Sequence, residues 1–345
     1  MGTSDIAVWG AGAIGGTVGA YLVRAGHRVL FVDRAAEHVA AIRRDGLAIT
    51  GPISEFRVQA EAVTPAEIKT PLKKVLLCVK AQDTKSAAEQ IRPHLLPDGY
   101  VVSLQNGLNE LEIIDTLGVG RTVGAFVNFG ADYMEPGVVH FGGRGAVVVG
   151  EVDGSVTTRA SQLHEMLRQF DDNAKLTANI WGYLWSKLAY GAMLFATALT
   201  NDSITDCFAS ARHRPTFIAL AKEVAAVALA ARVDLEPFDG FDPRAFMADA
   251  SPAQANRSME NLVVHNSRSA KTHSGIWRDL AVRKRRTEAD AQLGPIIRVA
   301  GEKGVGAPMT ARLLSLVKAI EDGEARQDGA MLDALGETLP IAAAS

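Results

Sequence analysis

The feature that most constrains this chain lies at its start. Four apolar residues, Ile6-Ala7-Val8-Trp9, run straight into Gly10-Ala11-Gly12-Ala13-Ile14-Gly15. A helical pattern follows (Val18, Tyr21, Leu22), and then a second strand, Arg28-Val29-Leu30-Phe31-Val32, closed by Asp33. This is the Gly-x-Gly-x-x-Gly pattern placed between a strand and a helix, and it demands a parallel βαβ unit. Gly10 allows the tight turn, Gly12 lets a pyrophosphate approach the backbone, and Gly15 lets helix and strand pack closely. The helix N-terminus then offers N–H groups and a positive dipole end to phosphates. Asp33 stands at about the spacing of an acid that binds a ribose. The cofactor-binding set read from this region is Gly10, Gly12, Ala13, Ile14, Gly15 and Asp33.

At 345 residues the chain is long enough for about two domains. Its net charge of −3 gives no global pull toward nucleic acid or membrane surfaces, so neither is an expected partner. The basic run Arg283-Lys284-Arg285-Arg286 is local and reads as a solvated helix face. Two cysteines, Cys78 and Cys207, make no disulfide framework and no metal spacing, which fits a reducing cytoplasm and no metal site. Residues 1–5 are too short and polar for a cleavable signal. Residues 181–199 are long enough to span a bilayer, but Lys187, Ser186 and Thr197 lie inside that stretch. The reading is a helix buried all round in protein.

Strand and helix patterns alternate through the first half. Val75–Val79 is an unbroken apolar run, as a strand buried on both faces requires. Tyr100–Leu104 is the next strand. Three β-like runs, 122–127, 138–141 and 146–149, suggest hairpins at the sheet edge. From Ile180 onward the pattern is helical, with one helix expected over 277–299 and a last one over 310–322. The organisation expected is α/β. Residues 1–177 form a Rossmann-type doubly wound sheet, 178–325 an all-helical substrate and dimerisation domain, and 326–345 a loosely ordered tail.

Lys80 follows the strand 75–79, and Asn106-Gly107 follows the strand 100–104. Both positions lie beyond the carboxyl ends of strands, where ligands of open α/β sheets bind. Lys80 reads equally as a solvated loop lysine, and Asn-Gly is also a common turn. Lys187 is more telling. A single ammonium in an apolar helix is costly to bury unless paired or neutral, and a lysine so placed can serve as a general acid. It also reads as a snorkelling or salt-bridged structural lysine. Glu288 is a candidate partner, or simply an exposed mate for the neighbouring arginines.

In this order and spacing the motifs resemble the ketopantoate reductase (2-dehydropantoate 2-reductase) family from Ile6 to about Ala325. They are Gly10–Gly16, Val79-Lys80-Ala81, Gln105-Asn106-Gly107, Leu184-Trp185-Ser186-Lys187-Leu188, Thr287-Glu288-Ala289-Asp290 and Gly304–Thr310. The resemblance implies a helical half like the C-terminal domain of 6-phosphogluconate dehydrogenase, and reduction of a branched 2-oxo acid by NADPH. It makes Lys187 the proton donor and Glu288 an anchor for substrate or lysine. It places Lys80 and Asn106 along the cofactor and substrate cleft.

The chain departs from that pattern. Asparagines common in the family four and eight residues after the lysine are here Gly191 and Phe195. Tyr190, Thr197, Thr200 and Asn201 are candidate replacements. The serine expected upstream of Glu288 is out of register; Ser274 is nearest, with Trp277 and Arg278 beside it. Arg278 has the fork that suits a carboxylate. The expected substrate-binding set is therefore Asn106, Tyr190, Asn201, Ser274 and Arg278. Arg34 stands where the family's phosphate-binding arginine stands, while Asp33 penalises a 2′-phosphate, so the balance between NADP and NAD tips to NAD. Two further readings stay open. One is a same-fold dehydrogenase acting on another hydroxy or oxo acid, possible also in the oxidative direction. The other is a dinucleotide-binding sensor without catalysis. The apolar helices favour a homodimer.

Overall fold

The computed structural model describes residues 5–268 and 272–339. It divides into two compact units, Met1–Ile180 and Trp181–Ser345.

The first unit contains twelve strands among the described residues: β1 (Ile6–Trp9), β2 (Val29–Val32), β3 (Leu47–Thr50), β4 (Phe56–Val58), β5 (Glu61–Val63), β6 (Leu72–Leu77), β7 (Leu95–Ser103), β8 (Thr122–Val127), β9 (Gly130–Glu135), β10 (Val138–Gly143), β11 (Val147–Glu151) and β12 (Lys175–Leu176). Its helices are α1 (Ala13–Arg24), α2 (Ala36–Asp45), α3 (Thr84–Ile91), α4 (Asn109–Leu117) and α5 (Thr158–Arg168). Eight strands form one sheet in the order β12-β11-β8-β7-β6-β1-β2-β5. From β5 to β8 every pairing is parallel. The order reverses between β1 and β6, which makes the carboxyl ends of those strands the switch point where a ligand crevice opens.

The alternation of side chains explains why these strands read as continuous apolar runs. Ile6, Val8, Val29 and Phe31 enter one core, and Ala7, Trp9, Leu30 and Val32 enter the other. The first core takes Val18, Tyr21 and Leu22 of α1 and Leu163 and Leu167 of α5; the second takes Ala87 and Ile91 of α3 and Ile113 of α4. A doubly wound sheet needs both faces covered, and these helices cover them.

The edge-hairpin expectation needs correcting. β8 and β11 do pair antiparallel within the large sheet. β9 and β10 instead join β3 and β4 in a separate four-stranded sheet. Val139 and Phe141 decide this, because they bury against the core that holds Tyr21 of α1, with the Tyr21 and Phe141 rings 5.8 Å apart.

The second unit is helical: α6 (Ile180–Thr197), α7 (Ile204–Ala209), α8 (Arg214–Ala230), α9 (Pro252–Ser267), α10 (Gly275–Trp277), α11 (Ala289–Lys303), α12 (Pro308–Glu321) and α13 (Gly329–Gly336). The alanine-rich α8 packs against α7, α9, α11, α12 and α13. Its Glu223 receives the backbone N–H groups of Met309 (2.9 Å) and Thr310 (2.7 Å), and so caps α12 from outside that helix. No helix among the described residues is long and apolar enough to cross a membrane.

Two expectations fail here. The single helix over 277–299 is broken. A π-turn spans Arg278–Val282, Lys284 adopts φ +49°, and α11 begins only at Ala289. Asp279 causes the break: its carboxylate draws in Arg283 (2.8 Å) and Arg285 (3.0 Å), curling the chain back. Arg286 pairs with Asp322, so the basic run is an ion-paired turn and not a solvated helix face. The tail is also better held than expected. Leu332 and Leu335 of α13 are fully buried, the Asp328 N–H donates to the Leu199 carbonyl (2.9 Å), and Asp333 pairs with Arg212 (2.7 Å). An apolar pair three residues apart is enough to dock one short helix. Residues 340–345 of the expected tail lie outside the described residues.

Candidate active site

The glycine loop is built from backbone, and it has the shape expected from its spacing. Gly10 has φ +96°, and a Cβ there would lie 2.8 Å from Val79 N. A Cβ on Gly15 would sit 2.1 Å from the Gly10 carbonyl oxygen. At Gly12 an added Cβ would meet nothing within 4 Å. The loop is therefore closed on its protein side and open at Gly12. The N-terminus of α1, formed by Ala13, Ile14 and Gly15, takes no side-chain cap. An open cradle edged by helix-terminal N–H groups fits an anionic diphosphate.

Asp33 grips this loop. Its carboxylate accepts from Ala11 N–H (2.8 Å) and from Ala35 N–H (2.9 Å). Each oxygen keeps a second lone pair for a hydroxyl. Arg34 is exposed and paired with Asp83 at 3.0 Å. Lys80 is exposed at the end of β6, and the Gly10–Val79 approach puts its segment beside the loop. Asn106 is exposed in the turn after β7. Behind it a buried polar chain fixes that turn: Gln105 Nε2 donates to the Val79 carbonyl (3.0 Å) and to Thr84 Oγ1 (2.7 Å), and Asn109 Nδ2 donates to the Asn106 carbonyl (2.6 Å). The structure thus brings the nucleotide-site candidates together at neighbouring strand ends.

Two buried groups in this unit carry no sequence signal of their role. His38 is 1% exposed and bridges two pieces of backbone. Its Nδ1 accepts from Gly137 N–H (2.9 Å), which leaves Nε2 to donate to the Ala11 carbonyl (2.9 Å). The glycine loop is therefore held at Ala11 by Asp33 on its N–H and by His38 on its carbonyl. Glu110, at the start of α4, is fully buried with neither carboxyl oxygen partnered among the described residues, and burial pushes its pKa up to about 8. Only the turn between β9 and β10, brought in from the second sheet, reveals His38.

In the helical unit, Lys187 is the only charged residue of α6. No α6 residue is exposed, but burial is uneven. Tyr183, Lys187, Tyr190, Gly191 and Leu194 form a half-buried stripe at spacings of three and four, which corrects the expectation of uniform burial. Phe195 is 1% exposed and lies off that stripe, in the core, so it does not stand in for a ligand-facing asparagine. Gly191 does lie on the stripe, and a Cβ there would meet only Gln292 Oε1, at 3.9 Å. α6 and α11 therefore meet at this point. Glu288 sits immediately before α11, one turn ahead of Gln292, whose N–H donates to the Glu288 carbonyl (2.9 Å). Thr287 is clamped by the buried Glu321 of α12, which accepts from its N–H (2.7 Å) and its hydroxyl (2.6 Å). The residue that precedes Glu288 is thereby tied to α12. Sequence spacing could not show Glu321.

The remaining candidates are mostly engaged in structure. Asn201 spends its side chain on Trp277 Nε1 (3.2 Å) and the Gln327 carbonyl (3.1 Å). Ser274 is buried and caps α10 by accepting from Trp277 N–H (3.1 Å). Tyr190 packs among Phe208, Phe238 and Phe241, faces Asn266 at 3.4 Å, and has its phenol pKa pushed up by burial. Thr197 bonds to the Leu194 carbonyl (2.8 Å) and Thr200 to Asp202 (3.2 Å), so neither replaces an asparagine. Arg278 is half-buried in the π-turn. Asn201 and Ser274 thus both bond to Trp277, the first at its indole and the second at its backbone N–H. Among the described residues no group of three or more His, Cys, Asp or Glu could hold a metal ion.

A doubly wound sheet with a glycine cradle at its switch point defines a dinucleotide-binding fold, here followed by a helical unit. Two family models match the chain: "Ketopantoate reductase PanE/ApbA" over residues 6–154 and its C-terminal counterpart over residues 179–321. The chain belongs to the ketopantoate reductase family. It is 29% identical to the 2-dehydropantoate 2-reductase of Pyrococcus horikoshii, over 92% of this chain and 97% of that one. It is 27% identical to the enzyme of the same name from Archaeoglobus fulgidus, over 94% and 100%. A PanE/ApbA family ketopantoate reductase from Ralstonia eutropha superposes with a TM-score of 0.77 at 27% identity, over 92% of this chain and 99% of that one. A D-mandelate dehydrogenase solved with NADH and anilino(oxo)acetate has the same fold, with a TM-score of 0.80 at 23% identity, over 92% and 98%.

Proposed function

We propose that this protein is an NAD(P)H-dependent reductase of 2-oxo acids, of the 2-dehydropantoate 2-reductase type. One observation carries the reading beyond the fold: the sole charge of α6, Lys187, lies on that helix's half-buried stripe and not on its core face. The full-length relatives named 2-dehydropantoate 2-reductase support the same reading.

The cofactor, when bound, supplies a hydride to the carbonyl carbon of the substrate. The amides of Gly12 to Gly15 and the N-terminus of α1 would hold its pyrophosphate, with Lys80 and Asn106 lining the same site. Lys187 donates a proton from Nζ to the carbonyl oxygen as negative charge develops there, and stabilises that charge beforehand. The balance is one 2-oxo acid, one hydride and one proton to one 2-hydroxy acid. Glu288 anchors substrate or lysine at the start of α11. NADH is the preferred donor: Asp33 is fixed at the ribose end of β2 and repels a 2′-phosphate, while Arg34 already faces Asp83. The same proposal includes a cytoplasmic homodimer built on the apolar helices, which sedimentation equilibrium tests.

The test is NADH and NADPH oxidation with 2-dehydropantoate beside a panel of 2-oxo acids, for the parent and Lys187→Met. The expected result is lysine-dependent turnover, with a drop in kcat of about 10²–10⁴-fold in the variant and nucleotide affinity unchanged. Equal rates for the two proteins would remove Lys187 from the chemistry. A parent that binds nucleotide but reduces nothing would overturn the reading.

A further inference from the structure

The gap beside Gly191 is the least conventional part of this site. Gly191 stands one turn beyond Lys187 on the half-buried stripe of α6, and it contributes no side chain. What borders the gap is the side-chain amide of Gln292, whose Oε1 lies 3.9 Å from where a Cβ would be. Gln292 is itself half-buried and stands one turn beyond Glu288. Among the described residues its side-chain amide makes no hydrogen bond, so its N–H donors and its Oε1 acceptor remain available. The gap is thus flanked by the two residues to which the proposed reaction assigns proton donation and anchoring.

We infer that Gln292 is a specificity-determining residue: the side chain of the 2-oxo acid enters the space over Gly191, and the Gln292 amide reads a hydroxyl carried on it. The inference rests on the reductase reading above. The substrate class is a 2-oxo acid whose branched side chain ends in a hydroxyl. Glycine at 191 makes the room, and the amide arrives from the facing helix instead of from α6. A partly dehydrated amide discriminates well, because a substrate lacking the hydroxyl leaves it unpaired.

The test compares 2-dehydropantoate with 3,3-dimethyl-2-oxobutanoate, two acids that differ by one hydroxyl, in the parent, Gln292→Leu and Gln292→Asn. The expected result is a loss of about 10–100-fold in kcat/KM for the hydroxylated acid in Gln292→Leu, with less than about 3-fold for the other. NADH affinity, measured by fluorescence, stays as in the parent. Gln292→Asn, which keeps the amide one methylene shorter, gives a smaller loss in the same direction, and serves alone if the leucine variant does not fold. Equal losses on both acids, or none, overturn the proposal while turnover by the parent leaves the reductase reading intact. A parent that turns over neither acid with either nucleotide overturns both.

Discussion

The two units of this protein present their candidate chemistry in opposite ways. In the first, the ligand-facing surface is backbone: a left-handed glycine, a helix N-terminus and an open edge at Gly12. In the second, it is side chains on helices: Lys187 and Gly191 on α6, and Glu288 and Gln292 around the start of α11. A backbone site tolerates few residues at each position, so it writes itself into a short motif. A side-chain site on a helix leaves only a charge in an apolar run, and its partners come from elements about a hundred residues away.

That contrast can be broken most severely at the glycines. Gly15→Val places a Cβ 2.1 Å from the Gly10 carbonyl, so the N-terminal unit is expected not to fold, as loss of the cooperative thermal transition would show. Gly12→Val has open space on the protein side, so it is expected to keep its melting temperature and lose nucleotide binding. If both variants behaved alike, the distinction between packing glycine and ligand glycine would be wrong.

In the helical unit the comparable weak point is a side chain far from any motif. Leu335→Ala empties a fully buried position under α13 and is expected to cost about 2–5 kcal/mol in urea unfolding. A cost below about 0.5 kcal/mol would return the C-terminal segment to the status of a loose tail.

Glu110 tests the buried polar layer behind the Asn106 turn. Its pKa rises from 4.5 to about 8 on folding, because burial favours the neutral acid. Between those values the folded state holds a proton that the unfolded chain has released, so stability falls as pH rises through that window. The slope is at most about 1.4 kcal/mol per pH unit. Glu110→Gln should flatten it, and matching slopes for parent and variant between pH 5.5 and 7.5 would contradict the assignment.

The smallest effect is expected at His38. His38→Ala removes one of the two grips on Ala11 and should raise the Kd for NADH by about tenfold, equivalent to roughly 1.4 kcal/mol. His38→Gln, which can donate to Ala11 and accept from Gly137, should recover most of that. Unchanged affinity in the alanine variant would leave Asp33 as the sole grip that matters.

Much of the first unit is legible from residue order. Alternation of Ile6 and Val8 with Ala7 and Trp9 requires a strand covered on both faces, and the glycine spacing requires the loop that follows. The misplaced hairpin shows where that reasoning stops: β10 reads as an edge strand, but it pairs with β3 and β9 in the second sheet while its Phe141 packs on Tyr21. In the helical unit periodicity located α6 but not its accessible stripe, which leaves Phe195 in the core. Asn201 and Ser274 have suitable chemistry, yet Trp277 and the cap of α10 claim them.

What the sequence determined by itself is whatever is local: the βαβ unit, the glycine cradle, the charge at Lys187 and the apolar runs that make strands and helices. These follow from steric rules and periodicities that act over a few residues. What only the tertiary structure decided is which distant groups meet. His38 reaches Ala11 through Gly137, Glu321 holds Thr287, and Gln292 borders the space at Gly191. Those meetings depend on the packing of whole elements, which sums many weak apolar contacts and leaves no signature at any single position.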